Sequence, residues 1–413
     1  MTSFIESTLQ SLFSSSFIIV LILALGCLVG CVNIKGLSLG TAGVVFVAML
    51  FGIAANYAPY ISIGGKNFVL YLANDLRLSD GSVLAENKSI FDLLSGLGTM
   101  MFVASVGLTA GPHFFRSFNK AKVCFMITGI VVATAGFIST LAILLFPGNI
   151  EADSSLMAGI FAGALTSTPG LAAAKEIAAN QDYAVVGYGV AYLFGVLGVV
   201  LFVQLIPRMS HVDMTEERNR AKMENKFTFL PAKLELSEID SMGLTQLFLV
   251  SILGCLIGSL EIPVIHFSLG NSGGILVAGV LIGHMGHIGK YNLCPDKHTL
   301  DFFRELGLCF FLVGAGVPAG ANFIQNVHAI FFLYGAVITI IPMVIGYFMV
   351  HKILKLGVFN GLGSITGGMT STPALEALIK SAGTDEVISA YAATYPIALV
   401  CVVLFSRIIV SFF

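Results

Sequence analysis

Residues 156–180 read LMAGIFAGALTSTPGLAAAKEIAAN. An apolar arm leads into Thr166-Ser167-Thr168-Pro169, and a second helix-compatible arm follows. Pro169 suits the first position of a new helix, with Thr168 or Ser167 as its N-cap. Each arm of about ten residues is about 15 Å long, half of the ~30 Å of hydrocarbon in a bilayer. The segment is therefore either a broken helix that crosses or a hairpin that enters and returns. The same four residues recur as Thr370-Ser371-Thr372-Pro373, inside GVFNGLGSITGGMTSTPALEALIK at 357–380.

Working outward, the rest of the chain repeats in the same order. Val199-Val200-Leu201-Phe202 returns as Val402-Val403-Leu404-Phe405, Val106–Gly111 matches Ala315–Gly320, and Ser38-Leu39-Gly40 matches Ser268-Leu269-Gly270. Collinear matches point to a duplication. The sequence divides into a first repeat at 1–207, a linker at 208–242 and a second repeat at 243–413, with six apolar segments in each repeat. The linker carries Arg208, Arg218, Arg220, Lys222, Lys226 and Lys233 and is too short for a domain.

Composition names the solvent. Hydrophobic residues make up 56% of the 413 and charged residues 11%, with a mean hydropathy of +0.93. Soluble domains carry roughly 25% charged residues, so this chain has too little polar material to coat a water-facing surface. Runs such as Phe17–Val32, Val123–Phe146 and Phe331–Val350 approach or reach membrane-spanning length. A net charge of −2 gives no footing for nucleic acid. Six of the seven cysteines lie within apolar runs, so no disulfide framework is implied. No Lys or Arg precedes the first apolar run, which is expected to remain as a span rather than a cleaved signal.

Positive charge chooses between the two readings of 156–180. With the N-terminus outside and the fifth segment of each repeat re-entrant, Lys35, Arg116, Lys120, Lys122, the six linker cations, Lys290, Lys297, Lys352, Lys355 and Lys380 all fall inside. A crossing fifth segment would put the linker and the Arg116–Lys122 loop on opposite faces. The hairpin satisfies the rule, and positions around Asn149 and Asn180 should then share one face. Five crossings per repeat is odd, so the second repeat is inverted, with both termini outside. The expected fold is an all-α multi-pass membrane protein of two inverted repeats, each of five transmembrane helices and one re-entrant hairpin.

Helix ends at membrane depth expose unsatisfied N–H groups and the positive end of a dipole, a site suited to anions. Thr166, Ser167, Thr168 and Pro169, together with Thr370, Ser371, Thr372 and Pro373, are thus the substrate-binding candidates. Gly107 with Thr109, and Gly316 with Pro318, have the composition to unwind the third and ninth spans and free carbonyls. Arg304 suits bidentate contact with a carboxylate, or an i,i+3 pair with Asp301. Tyr192 and Tyr395 occupy matching places in the last span of each repeat. Glu376 and Lys380 are read as an i,i+4 pair, and Lys175 and Glu176 as lying near a membrane face. His284, His287, Cys294 and His298 have zinc-ligand chemistry but loose spacing, so no metal and no cofactor is assigned. No nucleophile-elbow, zincin or phosphate-loop pattern marks an enzyme.

The pair of motifs, VGLTAG before one TSTP and AGVPAG before the other, resembles the aspartate:alanine exchanger family, as does Phe303-Arg304-Glu305-Leu306-Gly307-Leu308. The resemblance implies an elevator-type secondary transporter exchanging small amino acids or dicarboxylates, such as aspartate for alanine, or succinate. It also implies a bacterial cytoplasmic membrane and a homodimer. The implied substrate residues are Thr166–Pro169 and Thr370–Pro373, helped by Arg304. Many members carry regulatory domains between the repeats; here only Arg208–Ser241 fills that place. A sodium- or proton-coupled carrier of organic anions is the main alternative, and a channel or a membrane-embedded metalloenzyme a distant one.

Overall fold

A computed structural model describes residues 15–34, 37–38, 40–57, 60–63, 66–69, 87–114, 120–145, 153–209, 213–224, 237–240, 242–262 and 267–413. Lys35, Arg116, Lys226, Lys233 and Asn149, all used above for topology, lie outside them. The helices in chain order are α1 Ser15–Cys31, α2 Ala42–Tyr57, α3 Asn87–Phe114, α4 Lys120–Leu144, α5 Ser154–Ala164, α6 Thr168–Ile177, α7 Gln181–Met209, α8 Met214–Glu224, α9 Leu244–Gly258, α10 Gly270–Met285, α11 Lys297–Asn326, α12 Ala329–Phe348, α13 Val358–Gly368, α14 Thr372–Ala382 and α15 Val387–Phe412. A π-turn, Met349–Ile353, closes α12.

Five helices among the described residues are long and apolar enough to cross a membrane: α3, α4, α7, α12 with its π-turn, and α15. The sequence reading expects ten crossings. Helices α1, α2, α9 and α10 have 17, 16, 15 and 16 residues, about 23–26 Å at 1.5 Å per residue, short of the ~30 Å hydrocarbon core. Helix α11 is long enough, but Lys297, Asp301, Arg304 and Glu305 crowd its first turns.

Short strands also occur in the loops. Tyr60–Ile63 pairs antiparallel with Lys66–Val69, two β-prone runs separated by Gly64-Gly65, the composition of a two-residue hairpin turn.

The chain divides into two compact units. One holds Met1–Thr99 and Glu305–His328. Within it, α2 backs directly onto α11, and an added methyl at Gly316 would lie 2.8 Å from the Ala48 side chain. The other holds Met100–Arg304 and Ala329–Phe413 and contains both TSTP turns. Its centre is α7 and α15, against which α4, α5, α6, α12 and α13 pack. Sequence-predicted unwinding at the glycine pairs is not found, because 87–114 and 297–326 are each continuous helix. Gly107 instead lets α3 touch α10: an added methyl would meet the Gly279 backbone at 2.9 Å. Close helix approach is what small residues supply in bilayers.

Candidate functional site

Each TSTP turn ends one helix and starts another. Thr166 and Thr370 sit at φ 53° and φ 50°, a left-handed conformation that β-branched residues rarely adopt. Around them the chain closes a Schellman motif. The Thr166 N–H donates to Gly163 O at 2.9 Å and the Ser167 N–H to Ala162 O at 2.7 Å; Thr370 and Ser371 donate to Gly367 O and Thr366 O at 3.0 and 3.1 Å. Glycine would take this backbone without strain. Threonine adds a hydroxyl, which has a partner here. Thr166 Oγ1 donates to Met369 O at 2.9 Å, and Thr370 Oγ1 to Leu165 O at 2.7 Å. The two turns therefore touch through a reciprocal pair of buried hydrogen bonds.

Neighbouring helices show how the arms run. Gly159, Gly163 and Gly195 bring α5 alongside α7 in the same direction, with Gly159 at Ala184, Gly163 at Tyr188 and Thr166 at Gly195. The chain must then return through α6 before α7 begins, so 154–177 is a hairpin. Likewise α13 follows α15, with Gly363 at Val387 and Gly367 at Tyr391 and Thr394, and α14 is its return arm. Further along α15, Gly170 of the first hairpin lies against Val402 and Ser406, and Glu176 pairs with Arg407 at 3.2 Å. The second hairpin has its base at the start of α15, the first at its end, and the tips meet between them.

The tips share a backbone but not an environment. In the first, Ser167 is the N-cap, its Oγ accepting from the Gly170 N–H at 3.2 Å. Thr168 Oγ1 is 3.0 Å from the Tyr188 hydroxyl, and Thr166, Ser167 and Thr168 are all buried. Every hydroxyl of this tip is engaged. In the second, Ser371 caps by backbone geometry only (φ −97°, ψ 98°), and its buried Oγ has no partner. Thr372 is exposed and lies 3.3 Å from the Tyr391 hydroxyl. Tyr391 stacks on Tyr395 at 5.3 Å between ring centroids, and the Arg304 guanidinium acts electrostatically on both hydroxyls. Arg304 also pairs with Asp301 at 3.3 Å.

The second tip thus gathers the hydroxyls of Ser371, Thr372 and Tyr391 at the amide end of α14, with Tyr395 stacked on Tyr391 and the Arg304 charge felt at both tyrosines. Such a set can receive a carboxylate. Of the sequence candidates, the two turns come together and Tyr395 stacks on Tyr391 beside the second, while Arg304, paired with Asp301, reaches the tyrosines through its field. Tyr192 lies one turn behind, its ring 5.1 Å from Tyr188. Gly107 and Thr109 are taken up in helix α3, Thr109 Oγ1 donating to Ser105 O at 2.8 Å, and Gly316 and Pro318 belong to the other compact unit. The Glu376–Lys380 pair read from spacing is absent; both side chains are exposed on α14, and among the described residues neither has an ionic partner. Sequence reading missed Tyr188 and Tyr391. They share the 203-residue spacing of Tyr192 and Tyr395 and lie one turn earlier, a signal that could have found them.

A family described as Predicted Permease Membrane Region (Asp-Al_Ex) matches residues 78–208 and 246–411, leaving out most of the linker. An uncharacterized transporter of Bacteroides fragilis is 26% identical over 97% of this chain and 98% of its own length. One of Desulfotalea psychrophila is 23% identical over 98% of each. One of Geobacter sulfurreducens is 32% identical over half of this chain. The first two alignments run over 561 and 567 positions against 413 residues here, so those relatives carry stretches that this chain lacks.

Proposed function

We propose, from the premise that this chain belongs to the aspartate:alanine exchanger family of permeases, that it is a secondary transporter of small carboxylates which takes its substrate at the second hairpin tip. The observation that carries this reading is the unequal chemistry of two matching turns. The first tip spends all its hydroxyls internally, whereas the second keeps a buried, unpartnered Ser371 hydroxyl and an exposed Thr372 next to Tyr391, a tyrosine that feels the Arg304 charge. A carboxylate there meets a helix N-terminus and free hydroxyls in the field of a nearby guanidinium, interactions that strengthen away from bulk water.

Two hairpins based at opposite ends of α15 with joined tips support the inverted-repeat reading. Placement of both hairpins in one compact unit supports their moving substrate as one body, in the elevator manner. Exchange of small amino acids or dicarboxylates across a bacterial cytoplasmic membrane, by a homodimer, is the form of transport the family implies.

The test is counterflow in proteoliposomes loaded with labelled aspartate, alanine or succinate. Exchange predicts that label leaves only when unlabelled substrate is added outside. Release that ignores external substrate and follows a sodium or proton gradient would instead establish a coupled carrier. No release of any carboxylate under either regime would remove the reading.

A further inference from the structure

The linker helix α8 lies between the repeats, and four of its charged side chains, Glu217, Arg218, Arg220 and Glu224, meet the base of the second hairpin. Helix α13, the entering arm of the second hairpin, has Gly357 at its N-cap, a residue with no side chain to cap it. Two carboxylates from α8 do so instead. Glu217 Oε2 accepts from the Val358 N–H at 2.7 Å, and Glu224 Oε1 from the Gly357 N–H at 3.0 Å. Glu224 Oε2 also accepts from Asn360 Nδ2 at 2.7 Å. Arg220 holds the approach to the same end, donating to Lys355 O at 2.7 Å. At the far end of the hairpin, α14 finishes at Gly383 in the left-handed conformation, and Arg218 Nε donates to Ala382 O at 2.7 Å. Acids meet the positive end of one arm and arginine the negative end of the other, matching both dipoles.

The first hairpin is held differently. Its return arm α6 is packed by α7, α10 and α15, and Glu176 at its end is locked to Arg407 and to the N–H groups of Asn271 and Ser272. The return arm α14 of the second hairpin has a wide exposed face carrying Thr372, Glu376 and Lys380. It is the less embedded arm, and α8 clasps its base.

We infer that α8 is the positioning element of the second hairpin, and that Arg218, Glu217 and Glu224 set how often α14 lifts from its seat. This rests on the proposed site at the second tip, since Thr372 opens α14, and any movement of that arm moves the carboxylate-binding hydroxyls.

The inference is read without transport. In a background free of native cysteines, Leu378→Cys places a fully buried reporter on α14 and Ala174→Cys its counterpart on α6. Maleimide labelling is timed in nanodiscs, where both faces meet solvent. Arg218→Gln should speed labelling of the α14 reporter roughly tenfold, the weight of one charge-assisted hydrogen bond, and leave the α6 reporter unchanged; Arg218→Lys should restore much of the slow rate. Glu224→Ala, which removes the acceptor from the start of α13, gives the same reading if Arg218→Gln does not fold. An unchanged α14 rate in the folded variants, or an equal rise at both reporters, overturns the inference. A molecule that keeps the clasp but moves no carboxylate would fail the counterflow test alone, so the two failures are separable.

Discussion

Threonine in the left-handed region is the residue-scale oddity of this protein, and it occurs twice. Such a conformation costs of order 1–3 kcal/mol unless the surroundings impose it. The compensation is the exchange of hydroxyl-to-carbonyl bonds between Thr166 and Met369 and between Thr370 and Leu165. Thr370→Ser should keep the bond and leave thermal stability nearly unchanged. Thr370→Val keeps the shape, strands the buried Leu165 carbonyl and should cost about 1–3 kcal/mol, read by denaturation in detergent. At the neighbouring position, Thr372→Val should weaken substrate binding several-fold while Thr168→Val weakens it less, because Thr168 is buried against Tyr188. Ligand-induced shifts in melting temperature measure both. Equal effects at the two positions would return the tips to symmetry.

Among the elements, α6, α10 and α15 are joined by one buried ion pair. Arg407, with 3% of its side chain exposed, pairs with Glu176 at 3.2 Å and donates from Nε to Ser268 O at 2.9 Å. Glu176 in turn accepts from the Ser272 N–H at 3.2 Å, at the start of α10. Sequence reading sets Glu176 near a membrane face; it has no means of seeing that 231 positions of separation from Arg407 close to one contact. Removing one partner of such a pair leaves a buried charge and costs about 3–5 kcal/mol. Glu176 is 23% exposed, so Arg407→Gln should fall toward the lower end, about 3 kcal/mol. A double variant, Glu176→Gln with Arg407→Leu, should recover part of that loss in the same melting experiment. If the double variant is no better than the single, the pair is not the unit of stability.

At the scale of the whole molecule, sidedness is the expectation that everything about transport depends on. The hairpin ends near Asp153 and Asn180 should react with an impermeant thiol reagent from one face of the membrane, and those near Leu356 and Thr384 from the other. Asp153 and Asn180 reacting from opposite faces would restore a crossing helix and break the inverted reading.

Periodicity, duplication and charge sufficed to read two interrupted segments, helices on either side of each TSTP turn, and the turn residues as a shared meeting place, because those properties are local or repeat visibly along the chain. Tyr188 and Tyr391 were legible in principle, since their spacing copies the repeat, but nothing local separates them from Tyr192 and Tyr395. The pairing of Glu376 with Lys380 followed from helical spacing, and the structure leaves both side chains exposed and unpaired with each other. Which hydroxyls are spent and which stay free depended on contacts between residues about 200 positions apart. The capping of α13 by Glu217 and Glu224 depended on where a short charged helix docks. Sequence by itself determined the breaks and the chemistry offered at them; tertiary structure alone decided which break is closed and which is open, because identical turns acquire different partners once packed.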